Sequence, residues 1–136
     1  MINILIIEDE IPAQITLTRM IEKHCANSRI VATLNSVRSS IKWIEENPEG
    51  ADVIFMDVEL SDGVCFEIFN KVNINTQVII TTAYDNYAVN AFRNNCTDYL
   101  LKPIVEEDLI RAWERCMERM EQHNNASLET LIDMVS

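Results

Sequence analysis

Val53-Ile54-Phe55-Met56-Asp57 is an unbroken apolar run closed by a carboxylic acid. Four consecutive apolar residues without alternation predict a strand buried on both faces, as in a parallel sheet covered by helices. Toward the N-terminus the same arrangement recurs in Ile4-Leu5-Ile6-Ile7, which runs straight into Glu8-Asp9-Glu10. Between the two runs, Ala13, Leu17, Met20, Ile21 and Cys25 predict an amphipathic helix with Pro12 in its first turn. Residues 30–34 predict a second strand, and Val37, Ile41 and Ile44 a second helix that stops near Asn47-Pro48 and Gly50.

Toward the C-terminus, a third helix is expected from Asp62, which would cap it, with Cys65, Ile68, Phe69 and Val72 on one face. Val78-Ile79-Ile80 reads as a fourth strand running into Thr81-Thr82. A short helix follows, capped by Asp85 or Asn86, with Ala88, Ala91 and Phe92 turned inward. Residues 97–101 form the fifth strand, ended by Lys102-Pro103. The last helix, over about 106–122, carries Leu109, Ile110, Trp113, Cys116, Met117 and Met120 as a continuous stripe. Residues 123–127 have linker composition, and Leu128, Leu131, Ile132 and Val135 predict one more short amphipathic segment.

Five strands alternating with five helices specify an α/β fold with a doubly wound, five-stranded parallel sheet. The strand order expected for a chain of this size is 2-1-3-4-5, which puts the binding crevice at the carboxyl ends of strands one and three. The length of 136 residues and the 48% hydrophobic content suit one domain with a single packed core.

Charge and composition exclude several functions. There are 22 acidic and 11 basic residues, a formal net charge of −11, so the surface repels nucleic-acid phosphates and anionic lipid. With only Gly50 and Gly63, no glycine-rich phosphate loop can be written. His24 and His123 stand apart in no zinc-hydrolase or Ser-His-Asp arrangement. Cys25, Cys65, Cys96 and Cys116 form no C-x-x-C pair and read as reduced thiols in apolar surroundings. The first residues are too short and too soon acidic for a signal peptide, and no apolar run approaches membrane-spanning length. A cytoplasmic protein with no membrane partner is expected.

What remains is the set of polar groups at the strand ends: Glu8 and Asp9, Asp57, Thr82 and Lys102. Three acids brought close together repel one another, so their pKa values rise or a hard cation sits between them. Mg²⁺ suits such a set because it prefers oxygen ligands, needs few carboxylates and keeps waters. Asp57 could then act as a nucleophile toward a phosphoryl group, with Lys102 neutralising phosphoryl oxygens and the Thr82 hydroxyl donating to one of them. Each residue also has a plainer role. The early acids favour a helix N-terminus by about 0.3–1 kcal/mol each, and the others suit loop, turn and solvated positions. The coincidence of all of them at adjacent strand ends favours the site.

In its wording the chain resembles the receiver domain of two-component response regulators over about residues 2–122. The resemblance rests on Ile-Glu-Asp-Glu at residues 7–10, Met-Asp-Val-Glu-Leu-Ser-Asp-Gly at 56–63, Thr-Thr-Ala at 81–83 and Asp-Tyr-Leu-Leu-Lys-Pro at 98–103. It implies a flavodoxin-like receiver fold, with Asp57 as phosphoacceptor and Thr82 and Lys102 contacting the phosphoryl group. It further implies Asp9 as a direct Mg²⁺ ligand, Glu8 as a ligand through water, the backbone carbonyl of Glu59 in the metal set, and a cis peptide between Lys102 and Pro103. Tyr99 matches the aromatic switch residue. The face of the fourth helix, fifth strand and fifth helix, including Arg93, Asp98 and Arg111, would be a homodimer or partner surface. Glu59 and Tyr84 would flank the path of the water that removes the phosphoryl group, and slow self-dephosphorylation is expected. Ser61 departs from the family, which usually has proline there.

The stretch from Thr81 to Phe92 and the one from Asp98 to Pro103 look most like receivers of the LytTR subfamily, in which a DNA-binding module follows and controls transcription. Residues 123–136 are too few for that module. They are expected to begin an interdomain linker, with DNA contacted by a module outside this length and not by the receiver. A sensor histidine kinase is the implied phosphodonor. Two alternatives carry different expectations. A receiver-like docking module would never be phosphorylated. A haloacid-dehalogenase-like phosphatase would use Asp57-Val58-Glu59-Leu60-Ser61 as an imperfect D-x-D-x-T motif, but such enzymes carry that motif after their first strand.

Overall fold

The computed structural model describes residues 1–135, the side chain of residue 127 excepted. In chain order the elements are β1 (Ile2–Ile7), α1 (Ile11–His24), β2 (Ser28–Leu34), α2 (Val37–Glu46), β3 (Val53–Asp57), β4 (Glu59–Leu60), β5 (Gly63–Val64), α3 (Phe66–Lys71), β6 (Gln77–Thr82), α4 (Ala88–Arg93), β7 (Asp98–Leu101) and α5 (Glu106–Val135). The main sheet runs β2-β1-β3-β6-β7 with every pairing parallel. Once the small β4–β5 hairpin is set aside, this is the expected order 2-1-3-4-5.

Alternate residues of each strand feed opposite faces of the sheet. Ile4, Ile6, Phe55, Ile79 and Leu100 pack with Leu17 and Ile21 of α1 and Leu109, Trp113 and Cys116 of α5. Leu5, Ile7, Ile54, Met56 and Ile80 pack on the other side with Val37, Ile68 and Ala91 of α2, α3 and α4. Each such fully buried aliphatic side chain contributes about 1.5–3 kcal/mol, which fixes the register and so brings the strand ends level with one another. Asp57 pairs with Thr81, and Thr82 with Leu101, just before Lys102.

The structure departs from the sequence reading at several elements. Between β3 and α3 the chain forms the two-residue-stranded β4–β5 hairpin, and α3 begins at Phe66 rather than Asp62. Gly63, at φ +150°, makes the turn back into β5. Asp62 does cap a helix, but the helix is α2. Its carboxylate oxygens accept from Val37 N at 2.7 Å and Arg38 N at 3.0 Å. Neither Asp85 nor Asn86 caps α4, which starts after Tyr87 with no side-chain cap. Of the residues expected inside α4, Ala91 is buried, but Ala88 is exposed and Phe92 is 84% exposed. Ala91 faces the sheet, and Phe92, one residue further round the helix, points away from it.

At the C-terminus, α5 continues past Gln122 to Val135. No proline or glycine follows Pro103, so polar composition at 123–127 does not interrupt the backbone hydrogen bonds. Leu128, Leu131 and Val135 lie exposed on this extension. The four cysteines are free, as expected, and burial pushes the thiols of Cys25, Cys96 and Cys116 up to about 12. Among the described residues no helix is long and apolar enough to cross a membrane.

Candidate functional site

Three parallel strands end in polar groups gathered at the carboxyl edge of the sheet. β3 delivers Asp57, β6 delivers Thr82, and the residues just beyond β1 are Glu8 and Asp9. Carboxylate oxygens of Glu8, Asp9 and Asp57 all lie within 4.8 Å of one another. Glu8 and Asp57 are buried, 2% and 7% exposed, so their charges face little solvent. Lys102, at the end of β7, supplies the counter-charge. Its Nζ lies 2.5 Å from Glu8 Oε1 and 3.3 Å from Asp57 Oδ2. The Lys102-Pro103 peptide is cis.

The electrostatics follow from this packing. Burial, and then the negative charge of Glu8, push the Asp57 carboxyl up to about 7, against the opposing pull of Lys102. Burial also works to raise Glu8, but the hydrogen bonds from Lys102 and from the backbone of Glu10 outweigh it and leave Glu8 below its ordinary value. Asp9 is raised by partial burial and by its neighbour Glu8. Lys102 is held above its ordinary value, because its two carboxylate partners outweigh its desolvation.

Glu8 is oriented by groups the sequence does not announce. Glu10 N donates to Glu8 Oε2 at 3.1 Å, and Gln14 Nε2 donates to the Glu8 carbonyl at 2.7 Å from the first turn of α1. Thr82 is fully buried, and its Oγ1 accepts from Tyr84 N at 3.2 Å. Tyr99 joins the same loop, its hydroxyl donating to the Tyr84 carbonyl and accepting from Tyr87 N at 3.3 Å. Tyr84 is 52% exposed. The side chain of Glu59 turns to Tyr87, whose hydroxyl donates to Glu59 Oε1 at 2.8 Å. Sequence reasoning passed over Tyr87, because no spacing rule relates it to residue 59. On the neighbouring face, Asp98 pairs with Arg111 at 3.5 Å and with Arg115 at 3.4 Å, while Val89 and Phe92 of α4 lie exposed.

The model of the response regulator receiver domain matches residues 4–114. The chain belongs to that family. It is 30% identical over 118 residues to the sensory transduction protein LytT of Bacillus anthracis, a match covering 85% of this chain and 47% of that protein. It is 30% identical to protein MrkE of Klebsiella pneumoniae, covering 92% of this chain and 46% of that protein. This receiver thus spans about half the length of the curated relatives it matches. The crystal structure of the response regulatory domain of MrkE superimposes with a TM-score of 0.77 at 29% identity, covering 89% of this chain and 99% of that one. A receiver domain from Clostridium thermocellum, at 23% identity and TM-score 0.76, covers 90% of this chain and 98% of that one and shares the fold. The receiver is close to LytT-type regulators. It is a signalling domain.

The donor set of this receiver fits a hard divalent cation. Three clustered carboxylates with one ammonium leave an excess of negative charge, and burial together with the charge of Glu8 raises Asp57 in a way that a bound cation would offset.

Proposed function

We propose that this receiver takes a phosphoryl group onto Asp57 from a sensor histidine kinase. The observation that carries the reading is the convergence of Glu8, Asp9 and Asp57 within 4.8 Å, with Lys102 Nζ 3.3 Å from Asp57. An Asp57 carboxylate oxygen attacks phosphorus, an O–P bond forms, and the bond from phosphorus to the donor's imidazole nitrogen breaks. Lys102 is near enough to Asp57 to offset charge on the phosphoryl oxygens, and the Thr82 hydroxyl, now paired with Tyr84 N, is free to donate to one of them. Glu8, Asp9, Asp57 and the backbone carbonyl of Glu59 are the groups that would hold Mg²⁺, which when bound neutralises charge on the transferring group.

Switching follows from Thr82. Once its hydroxyl turns to a phosphoryl oxygen, the loop carrying Tyr84 and bonded to Tyr99 has a new favoured arrangement, and the balance of α4 positions shifts. The face of α4, β7 and α5, with Arg93, Asp98 and Arg111, is the proposed homodimer or partner surface. Similarity to LytT supports an output through a DNA-binding module of the LytTR type beyond these residues, regulating transcription in the cytoplasm. Residues 1–122 are the receiver proper, and 123–136 lead toward that module. The acidic receiver itself carries no nucleic-acid site. Apart from its own phosphorylation and slow self-dephosphorylation, with Glu59 and Tyr84 flanking the water path, it catalyses no turnover.

The test is incubation of the chain with Mg²⁺ and acetyl phosphate followed by mass measurement. One added phosphoryl group, absent from Asp57→Asn, is the expected result. No adduct would favour a docking module, and sustained phosphate release would overturn the signalling reading.

A further inference from the structure

Glu59 and Tyr87 come from the two loops that leave neighbouring strands at the site. Glu59 opens the β4–β5 hairpin two residues after Asp57, and Tyr87 closes the segment between Thr82 and α4. Asp57 and Thr81 are register partners on β3 and β6. The 2.8 Å hydrogen bond from the Tyr87 hydroxyl to Glu59 Oε1 therefore closes a ring through Asp57, Glu59, Tyr87 and Thr82. Tyr87 is anchored independently of that bond. Its ring centroid lies 6.3 Å from that of Phe66, at the start of α3, and its backbone N–H donates to the Tyr99 hydroxyl. The anchored ring holds the phenol in place, so the exposed Glu59 carboxylate is the partner that is restrained.

We propose that Tyr87 is a positioning residue for phosphoryl chemistry at Asp57, tying the loop after the phosphoacceptor to the loop after Thr82 and lengthening the life of the phosphorylated state. The inference rests on Asp57 being the phosphoacceptor. Hydrolysis of an aspartyl phosphate needs a water to reach phosphorus on the side opposite the Asp57 oxygen. A new O–P bond forms, the Asp57 O–P bond breaks, the carboxylate is regained, and a proton passes to solvent. Phosphorus on Asp57 would sit outside the end of β3, in the space that the two tied loops border. Holding them together by the Tyr87–Glu59 hydrogen bond narrows the approach of water.

Tyr87→Phe removes the hydroxyl and keeps the ring against Phe66. The chain is phosphorylated with acetyl phosphate and Mg²⁺, freed of donor, and followed by mass for loss of the phosphoryl group. Wild type, Tyr87→Phe, Glu59→Ala and the double variant are compared. The tie predicts decay about three- to fivefold faster in each single variant, the scale of one hydrogen bond. The double variant should be no faster than the singles, because both changes break the same contact. The thermal midpoint and Mg²⁺ affinity of Tyr87→Phe should match wild type, separating positioning from general loosening. Unchanged decay, or single effects that multiply in the double variant, would overturn the proposal. A wild-type chain that never acquires a phosphoryl group would instead overturn the phosphoacceptor reading, and this one with it.

Discussion

Lys102 and Asp57 meet across the carboxyl edge of the sheet, Nζ 3.3 Å from Oδ2, while the same ammonium pairs with Glu8. One cation therefore compensates two buried acids that come from different strands, and several properties of the receiver depend on it.

Replacing Lys102 with Met leaves Glu8 and Asp57 buried without a counter-charge. At pH 7 the variant should be less stable by about 2–4 kcal/mol, the cost of breaking a largely buried pair. The deficit should shrink toward about pH 5, where the acids can take up protons. Urea unfolding at the two pH values checks this, and an equal deficit at both would count against it. Phosphorylation by acetyl phosphate should fall at least about tenfold, roughly 1.4 kcal/mol of transition-state stabilisation.

Asp57→Asn should act in the opposite direction. Asp57 titrates at about 7 in the fold against 3.8 for an ordinary aspartate, so between those values the folded state binds more protons than the unfolded state. Its contribution to stability therefore falls as pH rises from about 4 to 7 and is flat above. Asparagine carries no such loss. In Mg²⁺-free buffer the variant should be more stable than wild type by about 2 kcal/mol at roughly pH 8, and little different at about pH 4. Chemical denaturation across that range measures the gap.

Proton and metal should compete. A cation held by Glu8, Asp9 and Asp57 requires ionised Asp57, so Mg²⁺ affinity should fall about tenfold for each pH unit below 7 and level off above it. Titration followed by intrinsic tryptophan fluorescence or calorimetry tests the slope. An affinity that stays constant between about pH 5.5 and about pH 8 would contradict a carboxyl titrating in that interval.

Asp62→Ala should destabilise the protein by about 1 kcal/mol through α2, a helix to which it does not belong in sequence. Hydrogen bonds from the Arg38 and Val37 N–H groups, together with the nearby Arg38 charge, hold the Asp62 carboxyl below its ordinary value. Its contribution is present at neutral pH and lost as pH falls through that lowered value, so the variant and wild type should converge in acid. Amide exchange should report the loss at the α2 N-terminus first.

Ending the chain at Gln122 should leave the thermal midpoint within about 2 °C of wild type, since surface changes away from core contacts stay within roughly 0.5 kcal/mol. Residues 123–126 and 128–135 are exposed and contribute nothing to either core layer. Helix content by circular dichroism should drop, showing that the α5 extension is helical but independent of receiver stability.

Much of this was legible in the sequence because the apolar pattern carries it. Ile4–Ile7 and Val53–Met56 are short unbroken apolar runs, each closed by an acid, that read as buried strands, and Leu109, Trp113 and Cys116 recur at helical spacing as a core-facing stripe. Their register then brings Glu8, Asp57 and Thr82 to one edge. The β4–β5 hairpin was not legible, since two-residue strands leave no period to detect. Phe92 misled because it lies next to Ala91 in sequence, and one residue further round a helix turns its side chain away from the buried face.

What the sequence determined by itself was the order of buried runs and the polar residue at the end of each, because apolar burial dominates the energy of folding and its pattern is local. The partners of those polar groups were decided only by the tertiary structure. Asp62 caps a helix 24 and 25 residues earlier, Lys102 pairs with a glutamate 94 residues away, and Tyr87 reaches back 28 residues to Glu59. Hydrogen bonds and ion pairs are short-ranged and directional, so which atoms meet depends on how strand ends and loops are finally placed.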